Sequence, residues 1–227
     1  MGARGLIVAI DGPSGAGKGT VAGAIARRYG FRHVDTGAMY RAVAWLAGHL
    51  GVDLPDEQAV AAMAQRARID VDTRVCIDDH DVTDAIRTPE VDRAAAIVAR
   101  HPAVRAVLVN RQRRLGAGGG IVMEGRDIGS VVFPDADVKI FLDASPEERA
   151  RRRATDPAHT AGRVTSGPDA VAKALEERDR IDRTRASSPL TVAPGATPID
   201  TTGRPVEDVV RQVTEIIDAK LAVPGRN

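Results

Sequence analysis

The sequence is poor in cysteine, in aromatic residues and in net charge, and each shortage narrows the range of functions. A single cysteine, Cys76, excludes a disulfide within the chain and is typical of proteins of a reducing cytoplasm. Aromatic residues make up 3% of the chain, and the formal net charge is +1. Proteins that coat nucleic acids usually combine a basic excess with aromatic side chains for base stacking, so this composition argues against that class.

Long apolar runs are absent as well. No stretch approaches the roughly 20 apolar residues that a transmembrane helix needs. The opening MGARGLIVAID holds only a short apolar run, too brief for a secretory signal. Leu6 occupies the position where a myristoylation signal has serine or threonine. We therefore expect a soluble cytoplasmic protein with no membrane partner.

What the sequence does contain is an alternation of short apolar runs and helix-like segments. Its 227 residues, 43% of them hydrophobic, suit one domain with an insertion. Buried strands are predicted at 6–10, 121–124 and 138–143, with weaker candidates at 31–35 and 197–200. Helices are predicted at 18–29, 37–49, 102–115, 145–155, 168–185 and 205–221. Strands that alternate with helices indicate an α/β fold, in which helices cover both faces of a parallel sheet.

Residues 65–100 break this alternation. There RIDVDTRVCIDDHDVTDAIR alternates apolar and polar residues around a candidate turn at Asp79–His80. This pattern predicts a small antiparallel hairpin or three-stranded piece, followed by a helix near 89–99. We interpret the section as an insertion between α/β units. The glycine-rich LGAGGG at 115–120 precedes a strand, so we interpret it as a connection and not as a phosphate loop.

The strongest functional signal is GPSGAGKGT at 12–20, which follows the apolar run 6–10 and opens a predicted helix. A strand, a glycine-rich loop and a helix in that order are what a phosphate-binding P-loop needs. The glycines let backbone N–H groups face phosphate oxygens, and the helix N-terminus adds favourable partial charge. Lys18 is long enough to reach the β- and γ-phosphates of a nucleoside triphosphate.

One detail separates this loop from the general P-loop pattern, in which lysine is followed directly by serine or threonine. Gly19 intervenes here, so Thr20 supplies the hydroxyl near the phosphates or a Mg²⁺ ion. The GKGT ending is more similar to nucleoside monophosphate kinases than to GTPases or motor ATPases. No NKxD-type guanine-reading motif is found in the sequence.

Two clusters at predicted strand ends offer groups for a second, phosphate-bearing substrate. DTGAMYR brings Thr36 and Arg41, although a capped helix with a surface arginine would give the same pattern. EGRDIG brings Arg126 and Asp127, although a purely structural ion pair is the alternative. Open α/β sheets bind ligands at the carboxyl ends of their strands, which favours the functional interpretation of both clusters.

Two arginine-rich predicted helices offer further candidate residues for binding phosphate. In RDRIDRTR, Arg178, Asp182 and Arg185 fall at i, i+4 and i+7 on one helix face, where they suit a phosphate and sugar hydroxyls. Arg180 and Arg183 point elsewhere. SPEERARRR offers a mobile lid over ATP phosphates through Arg149, Arg152 and Arg153. A solvated helix face with ion pairs is the alternative for both segments.

These motifs together resemble the bacterial-type cytidylate kinase family, over roughly residues 5–221. The resemblance is carried by IDGPSGAGKGT, DTGAMYR, IRTPEV, GRDIGSVVFPDADVKIFLDAS and ERDRIDRTRASSPL. It implies a single P-loop NTPase-type kinase domain that transfers the γ-phosphate of ATP to CMP or dCMP, giving ADP and CDP or dCDP. It divides the 227 residues into a core (about 1–64, 101–144 and 186–227), an inserted monophosphate-binding subdomain (the insert, about 65–100) and a lid (about 145–185).

The resemblance also implies roles for individual residues. ATP would be cradled by Gly12, Pro13, Ser14, Gly15, Ala16, Gly17, Lys18, Gly19 and Thr20. The catalytic cations would be Lys18, Arg152 and Arg153. The acceptor would be bound by Thr36, Tyr40, Arg41, Arg105, Arg126, Asp127, Arg178, Asp182 and Arg185. Mg²⁺ would be held mainly by ATP phosphates and water, with the Thr20 hydroxyl as the candidate ligand from the protein.

The sequence departs from the family at Ala96, where some relatives have a serine near the cytosine amino group. The distinction between cytosine and uracil therefore stays open. Rival hypotheses are a kinase for UMP, AMP or shikimate, and a nucleotide-dependent switch or ATPase that acts through partners. We expect small-molecule substrates, no nucleic-acid partner and a monomer.

Overall fold

The computed structural model describes residues 5–155, 168–184 and 188–222. Its strands are β1 (Ile7–Asp11), β2 (Arg32–Asp35), β3 (Ile69–Val71), β4 (Val75–Ile77), β5 (His80–Asp81), β6 (Ile121–Gly125), β7 (Val138–Asp143) and β8 (Thr197–Asp200). Its α-helices are α1 (Lys18–Tyr29), α2 (Thr36–Leu50), α3 (Glu57–Arg66), α4 (Pro89–Val98), α5 (Pro102–Gly116), α6 (Pro146–Thr155), α7 (Pro168–Thr184) and α8 (Val206–Ala222). A π-helix spans Ile128–Val132. Within the described ranges, no helix has the length and apolar character to cross a membrane.

A five-stranded parallel sheet in the order β2-β6-β1-β7-β8 forms the centre of the fold. Side chains alternate between the two faces of a strand. In β1, Val8 and Ile10 therefore pack with α1 and α8, whereas Ala9 packs with α2 and α5. Helices cover both faces, as a parallel sheet requires, and the predicted α/β fold is confirmed. Each strand of this sheet begins and ends within one residue of its predicted bounds.

Asp11, the last residue of β1, fixes the segment that follows β6. Its two carboxylate oxygens accept hydrogen bonds from the backbone N–H groups of Ile128 and Gly129, each at 2.7 Å. Burial of this side chain raises the pKa of Asp11 to about 6. The sequence pattern does not predict the π-helix held in this way. Its attachment to β1 places Arg126 and Asp127 at the carboxyl edge of the sheet.

The section that breaks the alternation folds into a small antiparallel sheet in the order β3-β4-β5, followed by α4. The predicted turn at Asp79–His80 is wrong by one residue, because His80 already belongs to β5 and the turn residues are Asp78 and Asp79. Asp78 takes the left-handed conformation with φ of 50°. Aspartate tolerates this conformation, and its carboxylate accepts a hydrogen bond at 2.8 Å from the amide of Arg68, the residue before β3.

The helix α3 is not among the predicted helices. Asp56 caps its first turn, with Oδ1 accepting from the Ala59 amide at 3.0 Å. The buried residues Val60, Met63 and Ala64 have helical spacing. Alanine contributes little to a hydrophobic pattern, so the buried face of this helix is indistinct in the sequence. The predicted helices, in contrast, are all present within one residue of their expected ends, and residues 117–120 connect α5 to β6 as expected.

Gly12 is the position at which a side chain would disturb the sheet most directly. It has φ of 147°, and a Cβ placed there would lie 1.9 Å from the backbone oxygen of Leu142 in β7. The backbone fixes the position of a Cβ, and the oxygen of Leu142 is itself a backbone atom. No rotamer change therefore relieves the overlap. We expect Gly12→Ala to lower the free energy of unfolding by about 3 kcal/mol, through overlap and strain together. Urea denaturation followed by circular dichroism measures this loss.

Gly48→Ala is the matched control. Gly48 lies in α2, and a Cβ at that position meets nothing within 4 Å. Alanine has the higher helix propensity, so this variant should gain up to about 1 kcal/mol. A Gly12→Ala protein with the wild-type denaturation midpoint would contradict the expected clash.

Candidate active site

The carboxyl ends of β2 and β6 and the loop after β1 open into a cavity of about 910 Å³. The predicted site residues that line it are Ser14, Gly15, Ala16, Gly17, Lys18, Gly19, Thr20, Thr36, Tyr40, Arg41, Arg105, Arg126, Asp127, Arg152, Arg153 and Asp182. Gly12 and Pro13 belong to the same loop but do not line the cavity. The side chain of Arg178 and the whole of Arg185 lie outside the described residues.

The loop between β1 and α1 surrounds one end of the cavity, and its shape depends on glycine. Gly15 and Gly17 have φ of 80° and 89°. A Cβ on Gly15 would lie 2.9 Å from the backbone oxygen of Arg149. The ammonium of Lys18, the first residue of α1, donates to the Pro13 carbonyl at 2.7 Å. A helix N-terminus, a glycine loop and an ammonium group together form an anion-binding end of the cavity.

Glu124 and His33 lie beside this loop, and both line the cavity. The Nε2 atom of His33 and the Oε1 atom of Glu124 are 2.9 Å apart. Burial lowers the pKa of His33, but the hydrogen bond and the charge of Glu124 outweigh it and raise the pKa above its ordinary value of 6.5. Neither residue is singled out in the sequence. Glu124 could have been found by the signal that reveals Arg126, which is a charged residue at the end of an apolar strand. His33 lies in a weakly predicted strand and has no comparable signal.

The start of α2 forms the adjoining wall. Asp35 caps this helix through a 3.1 Å bond from the Ala38 amide, and its other oxygen accepts from Arg41 at 2.8 Å. Burial tends to raise the pKa of Asp35, but the Arg41 charge and the Ala38 amide hold it below 3.8. The Thr36 hydroxyl donates to the Glu124 carbonyl at 2.7 Å. The capped helix of DTGAMYR is present and Arg41 lines the cavity, while the role of Thr36 and Arg41 in binding an acceptor stays a prediction.

A buried ion pair forms another part of the cavity wall. Arg105 of α5 pairs with Asp127, and their side chains are 3% and 9% exposed. The guanidinium carbon of Arg105 lies 5.7 Å from the centre of the Tyr40 ring, within the range of a cation–π contact. The Nε atom of Arg105 is buried without a hydrogen-bond partner. An unpaired buried donor costs free energy, so this Nε atom is a local cost of placing Arg105 beside Asp127.

A second ion pair joins the end of β6 to α7. Arg126 Nε donates to Asp182 Oδ2 at 2.8 Å. Burial lowers the pKa of Arg126, but the charge of Asp182 outweighs it and raises the pKa. Asp182 thus lies at the cavity, whereas Arg180 and Arg183 are exposed and Arg180 pairs with Glu177. The structure places Asp182 on the side expected for it.

Arg152 of α6 lies over the phosphate loop. Its Nη1 atom is 3.5 Å from the Gly15 carbonyl oxygen, and its Nη2 donates to the Thr201 carbonyl at 2.6 Å. Nε donates to Glu148 at 2.8 Å. Thr201, which follows β8, and Glu148 both line the cavity without having been singled out in the sequence. Their contacts hold the guanidinium at the same end as Lys18.

The other two arginines of this helix have different surroundings. Arg153 forms an ion pair with Asp92 of α4 at the cavity wall. Arg149 is 5% exposed, pairs with Asp179 of α7 and does not line the cavity. The expectation that Arg149 acts in a lid over ATP is therefore wrong, because its buried guanidinium pairs with Asp179 and donates to the Ser14 carbonyl at 3.3 Å.

The fold has counterparts among solved structures. A shikimate kinase of Bacteroides thetaiotaomicron matches it with a TM-score of 0.51, over 94% of this chain and 98% of that chain. Sequence identity in this match is 11%, so the likeness shows the fold alone. The fold is that of a P-loop kinase.

Sequence relatives are much closer. A cytidylate kinase of Pelotomaculum thermopropionicum is 50% identical over 218 residues, which are 93% of this chain and 96% of that protein. A cytidylate kinase of Desulfitobacterium hafniense is 48% identical over 222 residues, 96% of this chain and 95% of that protein. The family model described as cytidylate kinase matches residues 8–219. The match spans nearly the whole sequence, and the chain belongs to the cytidylate kinase family.

Proposed function

We propose that this protein transfers the γ-phosphate of ATP to CMP or dCMP, giving ADP and CDP or dCDP. One observation carries the proposal. The phosphate loop with Lys18 and the two ion pairs Arg105–Asp127 and Arg126–Asp182 line a single cavity. A triphosphate on the loop and a monophosphate at the ion pairs would therefore share one space, as in-line phosphoryl transfer requires.

The donor end suits ATP. Backbone N–H groups of residues 14–20, which include the start of α1, supply neutral donors, and Lys18 supplies a charge. The present bond of Lys18 to the Pro13 carbonyl joins a cation to a neutral acceptor. A bond from the same ammonium to a phosphate oxygen is stronger, because both partners are charged. We therefore assign Lys18 to the β- and γ-phosphates.

Mg²⁺ is proposed to accompany ATP. The described part of the chain holds no group of three His, Cys, Asp or Glu side chains arranged to bind a metal ion. Mg²⁺ usually keeps several waters and binds through substrate phosphates with one or two protein oxygens. Thr20, in the first turn of α1, presents a hydroxyl at the cavity and fits that limited role. When bound, the ion would neutralise part of the triphosphate charge.

The acceptor end suits a nucleoside monophosphate. Arg41, Arg105, Arg126 and Asp182 line it together, so cations and a carboxylate are available for a phosphate and for sugar or base groups. We assign the acceptor phosphate to Arg41, Arg126 and Arg178, the ribose to Thr36 and Asp182, and the base to Arg105 and Asp127. Tyr40 and Arg185 complete the proposed pocket.

The transfer needs positioning and charge, and no strong general base. The acceptor phosphate is nucleophilic as a dianion, so its oxygen forms the new bond to the γ-phosphorus while the bond to the β,γ-bridging oxygen breaks and ADP leaves. Lys18 and Arg152 stabilise the charge that develops on the transferred group. The contacts of Arg152 with Thr201 and Gly15 already place it over the loop.

We propose that the 227 residues work as one kinase domain, with the core, insert and lid bounds given by the family resemblance. Arg153 of the lid pairs with Asp92 of the insert, so the two segments are joined at the cavity wall. Their closure would exclude water and limit hydrolysis of ATP. On closure Arg153 would exchange Asp92 for phosphate oxygens.

The cellular setting is proposed from composition. We infer a monomer in the cytoplasm that acts on small molecules and has no nucleic-acid partner. The single cysteine and the formal charge of +1 support this proposal.

Lys18→Ala should abolish most turnover while the fold survives. Because the ammonium stabilises charge on the transferred phosphate, we expect kcat to fall by roughly 100-fold or more. Lys220→Ala is the control, since Lys220 is exposed in the last turn of α8. Steady-state ADP release measures turnover, and thermal unfolding checks the fold. Near-normal turnover of Lys18→Ala would remove Lys18 from the mechanism.

A panel of acceptors tests the substrate assignment. A coupled ADP-release assay with Mg-ATP and CMP, dCMP, UMP, AMP or GMP should show strong turnover with CMP and dCMP and little with the purines. That result would also make Ala96, which lines the cavity, a tolerated residue. Preference for UMP would overturn the roles given to Arg105 and Asp127. No transfer to any of them would favour another acceptor or a partner-driven switch.

A further inference from the structure

The arginines of the cavity wall differ in how their charge is balanced. Most of them are paired with a carboxylate of this chain. The pairs are Arg41–Asp35, Arg105–Asp127, Arg126–Asp182, Arg151–Glu148, Arg152–Glu148 and Arg153–Asp92. Arg87 also lines the cavity, yet no carboxylate in ranges 5–155, 168–184 and 188–222 forms an ion pair with it.

Arg87 is held in place by the backbone of the insert. Its Nε atom donates to the Thr83 carbonyl at 3.0 Å. The next residue, Thr88, caps α4, so the chain around Arg87 is fixed on both sides. The side chain is partly buried. With Nε occupied, the two terminal nitrogens form the pair of donors that suits the oxygens of a phosphate group.

The position of Arg87 assigns it to the acceptor. Arg87 belongs to the insert, which the family resemblance gives to the monophosphate, and it lines the same cavity as Ala96 and Arg105. Arg204 differs from Arg87 in its position, because it lines the cavity next to Thr201, near the phosphate loop. Arg204 likewise has no carboxylate partner among the described residues, but its Nη1 donates to Gln212 at 2.9 Å.

The Thr83 carbonyl satisfies one donor of this partly buried guanidinium, but no carboxylate in the described ranges balances its charge. A dianionic ligand can restore the balance, and Arg87 would not have to give up an internal ion pair to bind it. We propose that Arg87 binds the 5′-phosphate of the acceptor nucleotide, so that the insert contributes a cation to phosphate recognition. This inference rests on the proposed function. The acceptor phosphate would then be bound by arginines of both the insert and the core, and would connect the two.

Arg87→Met tests the proposal, because methionine keeps an unbranched apolar stem without the charge. Loss of a charge-assisted hydrogen bond to phosphate should raise the KM for CMP by roughly 10- to 100-fold. The KM for ATP should stay at the wild-type value. Arg87→Lys keeps a point charge without the planar fork, so it should give a smaller rise in the KM for CMP. Arg93→Met is the control, since Arg93 on α4 is exposed and pairs with Glu90.

Inhibition by cytidine separates phosphate binding from a structural role. Cytidine lacks the phosphate, so Arg87→Met should leave its inhibition constant unchanged. Equal weakening of CMP and cytidine would overturn the proposal in favour of a structural role of Arg87. A wild-type KM for CMP in Arg87→Met, or a rise confined to the KM for ATP, would also overturn it. Wild-type protein that transfers no phosphate to CMP would instead overturn the proposed function, and this inference with it.

Discussion

Neutralisation of arginine charge is the constraint on which the cavity depends. A guanidinium stays protonated at any physiological pH, so each one that is buried needs an anion or neutral hydrogen-bond acceptors, and an anion balances its charge better. The chain supplies carboxylates from separate elements, with Asp35 at the end of β2, Asp127 after β6 and Asp182 on α7. Because Asp127 reaches α5 and Asp182 reaches the end of β6, charge balance also fixes how those elements stand around the sheet.

The framework of the fold could be predicted because its signals are local. Apolar runs of β1 and β7 have clear ends, and the helices between them begin or end at glycine, proline or a capping residue. The exceptions depend on other features, even where a capping residue such as Asp56 is present. The alanine-rich face of α3 is hard to distinguish, and the β4–β5 turn depends on the left-handed conformation of Asp78. The π-helix depends on Asp11, more than 100 positions earlier in the chain.

The residues of the cavity likewise divide into those with a local sequence signal and those placed by contacts between distant segments. Lys18 and Arg126 could be found because each directly follows a recognisable strand or loop. Glu148 and Thr201 could not, since their part in the wall comes from contacts between α6 and the segment after β8. Arg149 shows the converse error, because a basic cluster on one helix does not reveal which member faces α7. Charge patterns identify candidate groups, but only packing decides the partner of each group.

The carboxylate of Asp35 has both a structural role and a role in the cavity wall. One oxygen caps α2, and the other holds Arg41 in the cavity wall. Protein stability and ligand affinity are therefore not independent at this position. A substitution that alters recognition there must also alter the helix that carries Thr36 and Arg41. An engineer who wishes to change the specificity of this pocket has more freedom at positions such as Ala96, where a side chain lines the cavity without supporting the start of α2.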